Sequence, residues 1–287
     1  MSEPAEPDRG ASDAVADPGR APAVTSGSRR TLTSVANAAR LLKQFTPQHS
    51  SLGVTELAGR LGLGKSTVHR LLATLEDERL IEQDQATGRY RLGLAVFELG
   101  AAASSPTDLH QAVLLPMSML RVRTGETVQM AVLDGREVVY IERLESPNTL
   151  RLFLAVGARN DAHSTGTGKC LLAFLPDPDL QRLLDGWQLA NKTEATITDH
   201  RDLRRELRRV RSQGYAINAH ESEPGVVSVA APIRDRRGTV VASISVAGPA
   251  ERMDPRRDEI IRLVVEAAAV ASKRLSFSYP GEADEPG

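Results

Sequence analysis

Lys65, Ser66, Thr67, His69, Arg70 and Thr74 fall within ten residues of one another. They combine short hydroxyls with cations, the side chains that donate to phosphate oxygens and to base edges in a DNA groove. A second group, Ser164, Thr165, Gly166, Thr167, Gly168 and Lys169, gathers hydroxyls, backbone amides and an ammonium just ahead of an apolar stretch. Such a helix entrance suits a carboxylate, although Thr165 and Thr167 could equally do no more than cap the helix. Gly166-Thr167-Gly168-Lys169 also looks like the end of a phosphate-binding loop. That loop needs Gly at position 163 and Ser or Thr at 170, where this chain has His163 and Cys170, so nucleotide hydrolysis is not expected. Cys170 with His163 or His220 as base has the composition of a nucleophile pair, and a helix over Gly168 to Leu175 would place the thiol in its first turn, where a thiolate is favoured. Leu171 and Leu172 follow it, which suits a thiol packed inside. His163, Cys170, His220 and Glu221 stand singly without paired ligand spacing, so neither a metal centre nor a cofactor is expected.

The first group must be held by a pair of helices. Val54, Leu57, Ala58 and Leu61 form one apolar stripe, with Thr55 where the helix begins. Gly62-Leu63-Gly64 interrupts it, and Val68, Leu71, Leu72 and Leu75 resume the same spacing. The two helices share a small core across a tight bend, a helix-turn-helix whose second helix keeps Glu76-Asp77-Glu78 at the end remote from its phosphate-favouring N-terminus. A support helix is expected from Thr33 to Phe45, with Val35, Ala38, Ala39 and Leu42 inward and Pro47 ending it. Leu80 to Asp84 and Arg89 to Leu92 read as two short strands around Ala86-Thr87-Gly88, a wing carrying Arg89 and Arg91 on one side. Gly93 to Ala103 is a mostly apolar helical stretch, expected to pair with its twin in a second copy.

From Thr107 helices and strands alternate. A helix over Asp108 to Arg123 precedes strands at Thr127 to Leu133 and Glu137 to Glu145, joined by the hairpin signal Asp134-Gly135. A third strand is expected at Leu150 to Val156, short helices at Gly168 to Leu175 and Pro178 to Asp185, and a longer one at Asp199 to Gln213 stopped by Gly214. Strands at Tyr215 to Ala219, Val227 to Arg234 and Val240 to Ala247 lead to a last helix from about Pro255 to Leu275. This pattern is an α+β sensor-type domain with an antiparallel sheet flanked by helices. The basic run Arg201, Arg204, Arg205, Arg208, Arg209 and Arg211 occupies the face opposite Leu203, Leu207 and Val210, a solvated face.

Length and composition bound the rest. The 287 residues are 41% hydrophobic, enough for about two domains with sizeable cores. Net charge is −1, but residues 29 to 92 hold ten basic against six acidic side chains. That modest excess fits a DNA-binding module that gains affinity from a second copy. A single cysteine excludes an internal disulfide framework and suits a reducing compartment. With neither a membrane-length apolar run nor a signal-peptide core, a cytoplasmic protein is expected. The expected layout is a disordered leader over 1–28 closed by Arg29 and Arg30, a DNA-binding domain over 29–92, a linker helix over 93–106, a sensor domain over 107–278 and a disordered tail over 279–287.

The stretches ELAGRLGLGKSTVHRLLATLE, TGRYRLG, TGETVQMAV, HSTGTGKCLLA and VAAPIRDRRGTVVASISVAGP together resemble the IclR family of bacterial transcriptional regulators, across nearly all of residues 31 to 276. The resemblance implies a winged helix-turn-helix, a linker helix and a GAF/PAS-like effector-binding domain, acting as a dimer or tetramer on double-stranded operator DNA. It implies a small-molecule effector held by the positions matching Leu152, Asn160, Gly166, Thr167, Asn218, Ser228, Ser245 and Ala247. Family members that bind small organic acids can carry an acidic residue, a cysteine and two serines at the last four of these. Here they are Asn218, Ser228, Ser245 and Ala247, so the effector's identity does not carry over. The donor-rich helix entrance and the lack of an aromatic cage point to a small anionic or polar metabolite. A nucleoid-associated metabolic repressor is the expected function. The alternatives are a C-terminal domain that only assembles subunits, or one with residual enzymatic activity.

Overall fold

The computed structural model describes residues 32–46, 48–103, 108–148 and 155–277. The expected leader and tail, Arg29 and Arg30, Pro47, Leu152 and most of the strand expected at Leu150 to Val156 lie outside the described residues. The chain divides into two compact units, Met1–Leu94 and Ala95–Gly287.

In the first unit α1 (Thr33–Leu42), α2 (Val54–Leu61) and α3 (Lys65–Asp77) precede the hairpin of β1 (Ile81–Gln83) and β2 (Tyr90–Leu92). Gly62 takes the left-handed conformation at φ 66° that ends α2 and lets the chain turn into α3. Leu57, Leu61, Val68, Leu72 and Leu75 are buried together, as the periodicity predicts. The face of α1 differs from the expectation. Val35 is 61% exposed, and the buried side chains are Leu41 and Phe45, packed with Ala38 and Leu42. The inward stripe therefore runs 38, 41, 42 and 45, because that setting puts the two largest side chains, one of them just past the helix end, into the core. Leu52 exchanges two backbone hydrogen bonds with Tyr90, of 3.0 and 2.9 Å, and so ties the loop before α2 to the wing.

Helix α4 (Leu94–Ala103) begins at the boundary between units, with Leu94, Phe97 and Leu99 exposed. The second unit continues with α5 (Asp108–Thr124), β3 (Thr127–Asp134), β4 (Glu137–Leu144), β5 (Arg159–Asp161), α6 (Gly166–Ala173), α7 (Asp177–Leu184) and α8 (His200–Gln213). Then come β6 (Ala216–Ala219), β7 (Val226–Arg234), β8 (Val240–Pro249), α9 (Ala250–Met253) and α10 (Arg257–Phe277). The strands form one antiparallel sheet in the order β5-β4-β3-β8-β7-β6.

Alternation along the strands sorts the two faces. Val128, Met130, Val227, Val229, Ile233, Ile244 and Val246 pack against α5 and α10. Ala131, Val138, Tyr140 and Ala230 pack against α6, α7 and α8. An α+β fold results, with helices on both faces of one sheet.

Several boundaries shift from the sequence reading. In the β3–β4 hairpin Asp134 pairs with Glu137, so Gly135 and Arg136 are the two loop residues, and Gly135 has the positive φ (60°) a tight hairpin needs. The three-residue β5 is absent from the sequence reading, being too short to show alternation. Pro255 sits in a 3-10 turn, Asp254–Arg256, that separates α9 from α10. Gly214 closes helix α8 at φ 83° as expected, whereas Asp199, expected as its first residue, stands one position before it as the cap and accepts the N–H groups of Arg201 and Asp202. No helix among the described residues is long and apolar enough to cross a membrane.

Candidate functional site

The polar face of α3 is set by what its other face buries. With Val68, Leu72 and Leu75 in the core, Lys65, Ser66, Thr67, His69, Arg70, Ala73 and Thr74 are all exposed. Lys65, His69 and Arg70 have no ion-pair partner among the described residues. The residue before the helix is Gly64, so no side chain caps the first turn and its amides stay open to an anion. Thr74 donates its hydroxyl back to the Arg70 carbonyl, 3.0 Å away. Thr55 is exposed in the first turn of α2, where Glu56 accepts the Gly53 amide at 3.0 Å.

The wing arginines are already engaged. Arg89 is 2.8 Å from Glu56 and donates to the Ser51 carbonyl at 2.7 Å, clamping the wing to the start of α2. The Gly53 amide first, and Arg89 after it, hold the Glu56 carboxyl below its ordinary value. Arg91 pairs with Glu82 across the hairpin at 2.8 Å, both half-exposed. Sequence reasoning offers both arginines to phosphate, but the structure gives each a carboxylate partner first.

A polar cavity of about 130 Å3 opens on the α6 side of the sheet. Antiparallel register puts Asn218 beside Ser228, Ser228 beside Ala247, and Ser245 beside Gln129. Asn160 enters from β5 and Thr165 from the cap of α6, where its hydroxyl accepts the Gly168 amide at 3.1 Å. Gly166 keeps the approach close here: a Cβ on it would lie 2.8 Å from the Ser228 hydroxyl, which would have to move. Asn218 donates to Ser222 and accepts the Glu221 amide, both at 2.8 Å, which fixes its carboxamide at the rim.

Of the eight effector positions, Asn160, Asn218, Ser228 and Ala247 line this cavity, Gly166 and Ser245 adjoin its lining residues, and Thr167 lies in the first turn of α6. Leu152 lies outside the described residues. Sequence reasoning misses Gln129, Tyr140, Ser222 and Glu223, which also line it. For Gln129 the signal was available, a lone amide in the apolar strand TVQMAV. Burial pushes the Tyr140 phenol up, offset in part by Asn160 and Thr167 beside its hydroxyl.

Lys169 does not join the cavity, contrary to the sequence reading. Helix α6 starts two residues earlier than expected, at Gly166, and turns Lys169 inward, where it is 1% exposed. Its ammonium lies 2.5 Å from Glu221 and 3.3 Å from Glu206, pinning α6 to α8 and to the loop after β6. Burial raises the Glu221 carboxyl, and Lys169 offsets only part of that rise. For Glu206 burial is outweighed by Arg209 and Lys169, which hold it below its ordinary value.

The nucleophile reading fails on the same register. Cys170 is fully buried, and burial pushes its thiol up to about 12 despite a hydrogen bond with Ser243. A thiol so placed is not a thiolate at neutral pH. His163 is buried edge-on to Trp187 with Nε2 2.9 Å from the Ala190 carbonyl, and burial pushes it down. His220 Nδ1 accepts the Gly225 amide at 3.1 Å, a loop contact. Among the described residues no three His, Cys, Asp or Glu side chains cluster as metal ligands would.

The same two parts recur in known proteins. Residues 34–85 match the IclR helix-turn-helix domain, and residues 101–273 match the bacterial transcriptional regulator IclR C-terminal domain. The chain is 34% identical over 249 residues to the HTH-type transcriptional regulator XynR of Escherichia coli, covering 87% of this chain and 98% of that one. It is 31% identical over 267 residues to the transcriptional repressor IclR of the same organism, covering 92% and 96%. Among solved structures, an IclR homolog complexed with 4-hydroxybenzoate from Microbacterium hydrocarbonoxydans superposes with a TM-score of 0.77 at 27% identity, covering 84% of this chain and 98% of that one. With one match spanning its reading head and another more than half its length, the chain belongs to the IclR family of bacterial transcriptional regulators, DNA-binding proteins rather than enzymes.

Proposed function

We propose that the protein is a metabolic repressor that places two copies of α3 in successive major grooves of a palindromic operator and is switched by a small organic acid bound beside α6. The reading head spans 29–92, a linker helix 93–106 and the effector domain 107–278, and the repressor acts in the cytoplasm, on the nucleoid, as a dimer or tetramer. Lys65, Ser66, Thr67, His69, Arg70 and Thr74 face the DNA, Thr55 contacts backbone from α2, and Arg89 and Arg91 exchange their carboxylate partners for phosphate at the wing.

One observation carries the switching half: a largely polar cavity, lined by amides, hydroxyls and at its edge the Glu223 carboxylate, lies under the first turn of α6, in the chain that presents an uncapped, cation-bearing α3. Helix-end amides favour a carboxylate, and the walls offer hydrogen bonds to its polar substituents. The 4-hydroxybenzoate held by the relative from Microbacterium hydrocarbonoxydans is a small carboxylate of this kind. Effector binding shifts operator affinity by a coupling of about 1 to 3 kcal/mol, a five-fold change or more. The test begins with genome-wide mapping of bound DNA. The neighbouring genes supply candidate acids, and fluorescence anisotropy on the mapped operator follows with and without each. Protein bound to no discrete site would end the reading. Sites whose occupancy no small acid alters would leave a domain that only assembles subunits.

A further inference from the structure

One polar group lining the cavity and its cross-strand neighbour have no employment in the fold. Gln129 lines the cavity, yet it is 3% exposed and its Oε1 has no hydrogen-bond partner among the described residues. Its cross-strand neighbour Ser245 is fully buried, and the Ser245 hydroxyl is likewise unpartnered. Buried carboxamides and hydroxyls are nearly always paired, and each one left alone in a native structure needs an explanation. The other amides nearby are occupied: Asn218 bonds Ser222 and Glu221, and Asn160 lies beside Tyr140. The Thr167 hydroxyl in the first turn of α6 is also unpartnered, but it lies by Tyr140; Gln129 and Ser245 are the unpartnered donor–acceptor pair on adjacent strands, beneath the helix whose first amides precede any intrahelical acceptor.

We infer that Gln129, with Ser245, is the specificity-determining contact for a hydroxyl on the ligand, so that the effector is a hydroxylated carboxylic acid and not its deoxy analogue. This rests on the proposal that the cavity binds a small acid at α6. The carboxylate meets the helix end, and the hydroxyl donates to Gln129 Oε1 while accepting from Ser245. Lys169 is absent from this recognition, its ammonium being held between Glu206 and Glu221. Discrimination therefore comes from neutral hydrogen bonds. A site built to pair a hydroxyl rejects the analogue lacking it, because its own buried groups are then left alone. For a single neutral pair the preference is roughly ten- to hundred-fold.

The test uses the full-length protein and matched pairs of acids of three to seven carbons, each hydroxylated acid set against the unsubstituted acid of equal length. Glycerate is paired with propionate, gluconate with hexanoate, and 4-hydroxybenzoate with benzoate. Calorimetric titration should show at least one hydroxylated member binding ten-fold or more tighter than its partner. Gln129→Met preserves length and volume without the carboxamide, and it should collapse that ratio towards one while leaving the affinity of the unsubstituted acid unchanged. Ser245→Ala should lower the ratio in the same direction. Because the carboxamide is unpaired without ligand, ligand-free Gln129→Met should melt no lower than the parent. Acids that bind without discrimination, a ratio that persists in both variants, or a lower melting temperature for ligand-free Gln129→Met would overturn this inference and leave the small-acid proposal standing. No binding by any member of either series would overturn both.

Discussion

Arg70 and Lys169 are both cations on helices, but their surroundings assign them opposite work. Arg70 is exposed on α3 with no ion-pair partner among the described residues, so its charge faces outward. Arg70→Ala should weaken operator binding by about 1 to 3 kcal/mol if it reads a base, or uniformly across sequences with a salt slope lower by about 1 if it holds phosphate. Competition with operator variants at two salt concentrations separates these. Lys169 is buried between two carboxylates, so removing it strands their charge. Lys169→Met should cost about 3 to 5 kcal/mol in denaturant unfolding. Adding Glu221→Gln should recover part of the loss, since the remaining amide no longer needs a cation. Sequence alone could not separate the two residues. Lysine beside Gly166-Thr167-Gly168 looks ligand-facing until the two-residue shift in the start of α6 is known, and that shift comes from Thr165 acting as the cap.

At the scale of elements, helices with strong periodicity and clear caps were legible: α2, α3 and α8 lie where their apolar stripes put them, with Gly62 and Gly214 as stops. Elements decided by tertiary contact were not. The inward face of α1 is chosen by where Phe45 fits, and β5 is set by residues 159–161 pairing along the edge of β4 remote from β3. The same holds for the cavity. Asn218 and Ser228 came from family resemblance, whereas Gln129 needed the register of β3 against β8 to place it opposite Ser245.

Helix α6 sits unusually close to its neighbours, since a Cβ on Gly168 would come within 2.2 Å of the Ala162 carbonyl oxygen. Gly168→Ala should displace the helix, lowering the melting temperature and abolishing effector response together. Gly166→Ala should fill the space against Ser228 and weaken effector binding with a smaller loss of stability, measured by calorimetry beside thermal unfolding.

For α8 the acid limb is informative. Backbone N–H groups of Asp202 and Arg201 hold the Asp199 carboxyl below its ordinary 3.8. A depressed folded-state value means the cap's contribution is complete above that ordinary value and is lost as pH falls through the lower one. Asp199→Asn keeps an acceptor without the charge, so melting temperature against pH should fall less steeply below about pH 4 than in the parent.

The whole molecule divides near residue 94 into units with separate hydrophobic cores. Two cores need not melt as one, so scanning calorimetry should resolve two transitions. Operator DNA should raise the one belonging to the helix-turn-helix, and a bound acid the one belonging to the sheet domain. At ligand one hundred times its dissociation constant the stabilisation is about 2.7 kcal/mol. A single transition shifted equally by both ligands would mean that the units unfold together. The near-neutral net charge also follows from this division, because the basic surplus over residues 29–92 is balanced elsewhere in the chain.

Cys170, the chain's one sulfhydryl, is sealed inside the sheet domain. The native protein is therefore blank to maleimide dyes. A cysteine introduced on an exposed turn of α3 or α4 becomes the sole labelling point, and energy transfer between identical fluorophores tests the proposed dimer, following the distance between its reading heads while a candidate acid is titrated in, with no background site to remove first.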